Sequence, residues 1–415
     1  MSLTDLTDWM DEHTGPHIVW YVKRLSANDT LANGSHQAGP YVPKEFLFDI
    51  FPSLNKPQAE NPDKWFDLHI DSHSGDTRQV RAVWYNNKLR GGTRNETRLT
   101  NFGGAESALL DPDSTGTLAI FSFHRDQSEE ASACHVWVCD AEVEADLVED
   151  RIGPVEPGKW KIWSVDQQET DLFSSVKPPR TSCWLEPLEM PAGWLDKFPS
   201  GLEIVRKTVE LRPAHGVPVD LRLMKRRQCE YEMFRSVEHA GELAAVQKGF
   251  ASIDDFIAKA QMILQRRKAR SGRSLELHTR AIFIEENLRE GIDFDHQPES
   301  DAGKRPDFIF PNEGAYKDSS FSARNLRMLA VKTTCKDRWR QVINEADRIE
   351  QKHLLTLQEG VSEGQFREMR DAKISLVVPQ PLVGSYPQSV QPYLQTLESF
   401  IADIRLLVLG ADNEN

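Results

Sequence analysis

Apolar and polar residues follow two different patterns along this chain. From the start to about residue 140 the apolar runs are short. Ile18–Leu25 (IVWYVKRL), Trp65–Ile70, Gln79–Tyr85 (QVRAVWY), Thr117–Phe123 (TLAIFSF) and His135–Cys139 (HVWVC) are rich in Val, Ile and aromatic residues. Several alternate apolar with polar side chains, which is the period of a half-buried strand. Turn formers such as Asn28-Asp29-Thr30 and Gly91-Gly92-Thr93 separate them. With no convincing helix among them, these strands predict a small barrel or sandwich.

Between about 165 and 195 the pattern dissolves. Pro178-Pro179, Pro187 and Pro191 punctuate a stretch without period, which predicts a linker. From about 200 onward helical and strand patterns alternate. Ser252 followed by Asp255 predicts a capped helix reaching about Lys268, and Ser274 predicts the cap of a next one, SLELHTRAIFIEENL. An extended Asp307–Phe310, a strand Met328–Lys332, a helix from about Asp337 to Leu357, a strand Ile374–Val378 and a helix from about Pro392 follow. That order suits an α/β domain on a mixed sheet.

Composition narrows the function classes. The 415 residues suit two or three domains. A mean hydropathy of −0.52 and 39% hydrophobic residues exclude a disordered chain, and no apolar run approaches the ~18 residues of a membrane span. The opening residues are acidic and lack an apolar core, so no secretory signal is expected. The net charge of −14 means that any nucleic-acid binding must come from local basic clusters. Five scattered cysteines without a CxxC pair imply neither a zinc site nor a disulfide framework; reduced thiols in a cytoplasmic protein are expected.

Candidate chemistry concentrates around Pro306-Asp307-Phe308 and Lys332, at the end of a strand. Metal-dependent phosphodiester cleavage needs acidic oxygen ligands for a hard cation such as Mg²⁺ and a positive charge near the scissile phosphate. A carboxylate on one strand and a lysine on its neighbour can supply both, the PD…(D/E)xK arrangement of nuclease folds. Ala330 stands where that arrangement has its second acid. Glu345 on the following helix can supply the missing carboxylate, and Glu276 on the helix before Asp307 is a further one. The bland alternative is a turn aspartate and a solvated lysine. The stretch Lys332–Arg340 holds four cations against one anion. Its Lys336-Asp337-Arg338 block has the donors and acceptor to read C:G pairs in a major groove.

The segments RPDFIFPNEGAY (Arg305–Tyr316), NLRMLAVKTTCKDRWRQ (Asn325–Gln341) and HLLTLQEGVS (His353–Ser362) closely resemble the EcoRII-like type IIE restriction endonucleases. The resemblance extends to SLELH (Ser274–His278), KRLSANDT (Lys23–Thr30), TRNETR (Thr93–Arg98) and FPSG (Phe198–Gly201), and so to nearly the whole chain. It implies an α+β two-domain enzyme: an N-terminal β-rich DNA-binding pseudobarrel at 1–165, like the B-three domain of plant transcription factors, a linker at 166–195, and a C-terminal α/β PD-(D/E)xK nuclease domain at 196–415. Asp307, Lys332 and Glu345 then match the catalytic trio, with Mg²⁺ on Asp307 and Glu345. Tyr316 matches a tyrosine close to that site; loop packing is its other reading. Lys336, Asp337 and Arg338 match the base-reading block, and Arg227 a residue near the flipped central pair of a CCWGG site (W is A or T) cut 5′ of the first C. Lys268, in a run of basic residues, is expected to contact phosphate; a solvated helix end is its other reading.

His36, Tyr41, Arg94, Glu96 and Arg98 match loops that contact a second, effector DNA, with Lys23, Arg24 and Asn28 flanking them. Gly92 and Thr97 stand where the family has lysines, which predicts weaker phosphate attraction. The resemblance further implies double-stranded DNA as target and effector, a homodimer through the catalytic domain, a cognate DNA methyltransferase in the same restriction-modification system, and no membrane partner. The competing readings are a catalytically inactive DNA-binding regulator and a structure-specific repair nuclease. The intact trio opposes the first, and the reading block with the extra domain opposes the second.

Overall fold

The computed structural model describes residues 3–33, 39–73, 76–93, 95–165, 183–214, 216–301, 303–336 and 338–413. It divides into two compact units. One comprises Met1–Thr170 with Gln358–Phe366 and Ser385–Ser389; the other comprises Asp171–Leu357, Arg367–Gly384 and Val390–Asn415. Most of the expected linker lies outside the described residues.

The first unit runs α1 (Leu3–Glu12), β1 (Ile18–Arg24), α2 (Lys44–Ile50), β2 (Asp63–Ile70), β3 (Asp76–Tyr85), β4 (Glu96–Thr100), β5 (Leu118–Arg125), β6 (Ala131–Val138), α3 (Glu142–Ile152) and β7 (Trp160–Ser164). The strands form one curled seven-stranded sheet in the order β4-β3-β2-β6-β5-β1-β7, antiparallel except between β2 and β6. Strand side chains alternate between the two faces of a sheet, and here both faces of β1 are buried. Val19 and Tyr21 join a core with Phe46, Phe51, Phe66, Phe121 and Phe123. Trp20 and Val22 join another with Leu6, Trp9, Trp137 and Trp163. That explains why IVWYV is almost continuously apolar. The expectation of no helix before residue 140 is corrected. In α1, Leu6, Trp9 and Met10 recur at i, i+3 and i+4, so a single face of an otherwise acidic helix is buried. In α2, Phe46, Leu47 and Ile50, at i, i+1 and i+4, likewise bury one face.

The second unit contains α4 (Gly201–Leu211), α5 (Val219–Lys248), α6 (Ile253–Glu285), β8 (Asp295–His296), β9 (Phe308–Phe310), α7 (Glu313–Lys317), β10 (Arg327–Lys332), α8 (Trp339–Val342) and β11 (Lys352–Thr356). The chain continues through α9 (Glu363–Asp371), β12 (Ile374–Val377), α10 (Gln380–Val383) and α11 (Leu397–Asn413). Its sheet has the order β12-β11-β10-β9-β8; β10, β11 and β12 are parallel, whereas β9 is antiparallel to both its neighbours.

Three sequence expectations change here. Ser252 does cap α6, accepting from Asp255 N at 3.1 Å, but the helix continues unbroken for 33 residues. Ser274 lies inside it, and its hydroxyl donates to Glu230 on α5 at 2.9 Å. The helix expected from Asp337 to Leu357 is only the short α8; His353–Thr356 is a strand. All five β11 residues are buried between β10 and β12, and burial on both faces removes the alternation that would reveal a strand. Finally, Cys183 and Cys229 form a disulfide, their Cα atoms 5.2 Å apart and 46 residues apart in sequence, so spacing alone could not pair them. Cys134, Cys139 and Cys335 are buried and take part in no disulfide. Among the described residues no helix is long and apolar enough to cross a membrane.

Candidate active site

Antiparallel pairing brings Asp307 and Lys332 together. The register sets Phe308 against Leu329, so the start of β9 lies beside the end of β10. Asp307, just before β9, accepts from Val331 N at 2.7 Å, and Lys332 Nζ lies 3.4 Å from the same carboxylate oxygen. This main-chain bond holds the carboxylate at the strand end. Burial pushes the Asp307 carboxyl up; Lys332 opposes that shift and Glu276 adds to it.

Glu345 follows α8 in the crossover from β10 to β11, its amide donating to Val342 O at 3.1 Å. Burial raises its carboxyl to about 7; Lys332 opposes the rise and Asp307 reinforces it. Glu345 Oε2 is buried without a hydrogen-bond partner among the described residues. Two carboxylates that repel one another beside a lysine, one with an unsatisfied oxygen, form the donor set a hard divalent cation takes. The residues present therefore fit such an ion.

Glu276, on α6, is almost fully buried and accepts from His296 and from Gln297 Nε2, the latter at 2.7 Å. Its electrostatic effect on Asp307 places it near the pair. Neither His296 nor Gln297 carried a signal in the sequence. The Tyr316 hydroxyl, on α7, donates to Asp301 at 2.9 Å and accepts from Arg348 N at 3.3 Å. Burial, assisted by Asp301, pushes that hydroxyl up to about 12, so it is a neutral donor.

Lys336 and Arg338 are half-buried in the segment between β10 and α8, with Arg338 at the helix N-cap. Asp337 lies outside the described residues. Arg227 is buried on α5, its guanidinium 3.8 Å from Glu230. Lys268 is exposed on α6. Its basic neighbours are committed elsewhere: Arg266 pairs with Glu242, Arg267 with Glu238 and Arg270 with Glu230, all on α5. A run that reads as a basic surface in sequence is thus largely an interhelical ladder.

In the first unit, Lys23 is buried against Asp29 at 2.7 Å. Arg24 pairs with Glu149 at 2.8 Å and donates to Val155 O at 3.0 Å. Asp29 is a hub that sequence reasoning took for a turn residue. It also accepts from Ser26 N at 2.7 Å, Ser26 Oγ at 2.8 Å and Tyr41 N at 2.8 Å. It thereby fixes the backbone next to Asn28, which is exposed, and at Tyr41, half of whose surface is open. Glu96 and Arg98 lie on β4 and pair at 3.1 Å. Thr97 between them is buried, its hydroxyl donating to Val42 O at 3.0 Å. His36 and Arg94 lie outside the described residues.

Family models for "Restriction endonuclease EcoRII, N-terminal" and "EcoRII C terminal" match residues 14–168 and 234–401. The type II restriction enzyme EcoRII of Escherichia coli is 41% identical over 406 residues, covering 97% of this chain and 98% of that protein. Two solved structures of metal-depleted Ecl18kI with uncleaved DNA, one of them modified DNA, align at 18% and 20% identity. They cover 52% of this chain with TM-scores of 0.42 and 0.41, and 80% and 81% of their own chains.

Proposed function

Because the chain belongs to the EcoRII family of type II restriction enzymes and is a site-specific deoxyribonuclease, we propose that it cuts double-stranded DNA at CCWGG, 5′ of the first C, in a Mg²⁺-dependent reaction. The observation that carries this reading is the convergence of Asp307, Lys332 and Glu345 at one end of a sheet, with the Glu345 oxygen unsatisfied. Asp307 and Glu345 would hold the ion, which would supply Lewis-acid polarisation of the scissile phosphate. Lys332 Nζ stabilises the negative charge that grows on the phosphate oxygens and orients the attacking water. Glu276 tunes Asp307 through its charge, fixed in place by His296 and Gln297. Tyr316 braces the adjoining turns by joining Asp301 to Arg348.

Lys336, Asp337 and Arg338 follow the catalytic strand directly, so reading of base edges is coupled to the position of Lys332. Arg227 and Lys268 serve the target duplex, Arg227 beside a flipped central pair and Lys268 on phosphate. Flipping costs a few kcal/mol of stacking. A pocket that stacks either base without reading its edge accounts for tolerance of A or T.

The N-terminal unit binds a second copy of the site as effector and relieves inhibition of cleavage. Tyr41, Asn28, His36, Arg94, Glu96 and Arg98 form its DNA face. Lys23 acts by holding Asp29, which in turn fixes Ser26 and Tyr41, and Arg24 by holding α3. The enzyme is a cytoplasmic homodimer through its catalytic half and pairs functionally with a methyltransferase of the same specificity. Incubation of plasmids carrying one or two CCWGG sites with Mg²⁺ or EDTA, followed by sequencing of the ends, tests this reading. Cleavage at another sequence, or equal cleavage in EDTA, would overturn it.

A further inference from the structure

The N-terminal unit gathers imidazoles that neither cleavage nor DNA reading employs. His13 follows α1, His124 is on β5 and His135 on β6; one ring nitrogen from each lies within 4.8 Å of the other two. His13 Nδ1 and His124 Nε2 are 3.0 Å apart. The ring centroids of His13 and His135 are 4.3 Å apart, and those of His124 and His135 4.9 Å. We propose that His13, His124 and His135 form a site for a transition metal of the Zn²⁺ class, with Asp71 orienting one of the three rings.

Tautomers support the assignment. An ionised carboxylate only accepts hydrogen bonds, so the 2.9 Å contact of His135 Nδ1 with Asp71 Oδ2 fixes the proton on Nδ1 and leaves Nε2 with a free lone pair. A carboxylate behind an imidazole is the usual support of a metal-bound histidine. The same Asp71 oxygen also accepts from Trp9 Nε1 at 2.7 Å, so it is already engaged and acts behind the ligands rather than as one of them. Burial, reinforced by mutual repulsion among the rings, holds His13 and His124 down at about 4. The 3.0 Å contact between His13 Nδ1 and His124 Nε2 is a hydrogen bond between the two rings, and binding of an ion requires its proton to shift to the far nitrogen of the donor ring.

Zn–N bonds of about 2.0–2.1 Å place tetrahedral ligand nitrogens roughly 3.3–3.4 Å apart. The His13–His124 separation of 3.0 Å is close to that edge, and every pair of ligand nitrogens lies within 4.8 Å. Three imidazoles select zinc, copper or nickel over Mg²⁺, which separates this site from the all-carboxylate pair at Asp307 and Glu345. The fourth position is left for water. His69 stacks on His135 at 4.7 Å, but its Nδ1 contacts Thr77 Oγ1 at 3.1 Å, and it is not one of the three. The bound ion would clip the end of α1, which carries Leu6, Trp9 and Met10 into the core, onto β5 and β6.

The test uses the full-length chain without a polyhistidine tag, stripped of metal. It carries Asp307→Ala so that the catalytic carboxylates do not contribute. After equilibration with Zn²⁺ and gel filtration, one zinc per chain is expected, with X-ray absorption showing imidazole nitrogen and no sulfur around it. His124→Ala and His135→Ala should each weaken zinc binding at least tenfold, and His69→Ala should not. His124→Gln, which keeps the shape and removes the ring, guards against misfolding and should behave like His124→Ala while melting normally without zinc. Failure of the parent chain to retain zinc, or retention by the His124→Gln, His135→Ala double variant, would reduce the cluster to hydrogen-bonded neutral imidazoles.

Discussion

Two charge clusters, one in each unit, are handled in opposite ways. In the first unit, Lys23 and Arg24 leave β1 and meet a carboxylate each, and Asp29 satisfies both its oxygens with Lys23, Ser26 and Tyr41. In the second unit, Asp307 and Glu345 are half-buried near one another and desolvation pushes both carboxyls up, with one Glu345 oxygen unsatisfied. A buried charge with full partners holds a shape, because removing one partner strands the other in a poor solvent. A buried charge left short of partners costs stability and is poised to take a ligand instead. Residue type does not distinguish the two clusters, since each is a short-range group of acids and bases; the supply of partners does.

The largest expected effect tests the second half of this contrast. Asp307→Ala, Lys332→Ala and Glu345→Ala should each lower plasmid cleavage by on the order of 10³-fold or more, the rate equivalent of several kcal/mol. Binding to a cognate duplex in Ca²⁺ should persist, because base edges are read by other residues. Glu345→Gln should melt no lower than the parent, since it relieves a desolvated acid. A Glu345→Ala variant that cuts at the parental rate would transfer the metal-holding role to Glu276.

Asp29→Ala tests the first half. It leaves Lys23 buried without its carboxylate and frees the loop carrying Tyr41, so a loss of about 3–5 kcal/mol is expected in urea unfolding of the N-terminal unit. Replacing both members, with Lys23→Met and Asp29→Leu, should recover part of the loss. If Asp29→Ala melts like the parent, the pair is solvated and the contrast between the units fails.

Smaller effects concern recognition. Arg338→Ala should lose ~1–3 kcal/mol of discrimination at a G:C pair, read by competition between cognate and singly substituted duplexes. Equal weakening on random DNA would make Arg338 a phosphate contact. Lys268→Ala should cost less than about 1 kcal/mol on any sequence and reduce the salt dependence of binding by about one ion, as one phosphate contact does. No change in the salt slope would leave Lys268 a solvated helix residue, in line with the pairing of Arg266, Arg267 and Arg270 across to α5.

Much of this molecule was legible in its residues. Strands such as Ile18–Arg24 and Arg327–Lys332 announce themselves by β-branched and aromatic content, which is a local property. The cap at Ser252 is local too. Asp307, Lys332 and Glu345 could be singled out because metal chemistry restricts residue type, and because long segments around them carry a specific resemblance. Most features that sequence reasoning misjudged or passed over depend on a partner supplied from elsewhere in the chain. The strand at Lys352–Thr356 looked helical because both its faces are covered by neighbours. Ser274 looked like a cap, but its hydroxyl is taken by Glu230, forty-four residues earlier. Asp29 looked like a turn residue until Lys23 and Tyr41 closed around it. Cys183 found Cys229, and His13 found His124 and His135, across distances that spacing cannot encode. Residue type and local period determined which elements and which chemistry this chain could have. Only the tertiary structure decided which charges are spent on holding the fold and which remain poised to bind, because that depends on burial and on partners supplied from elsewhere in the chain.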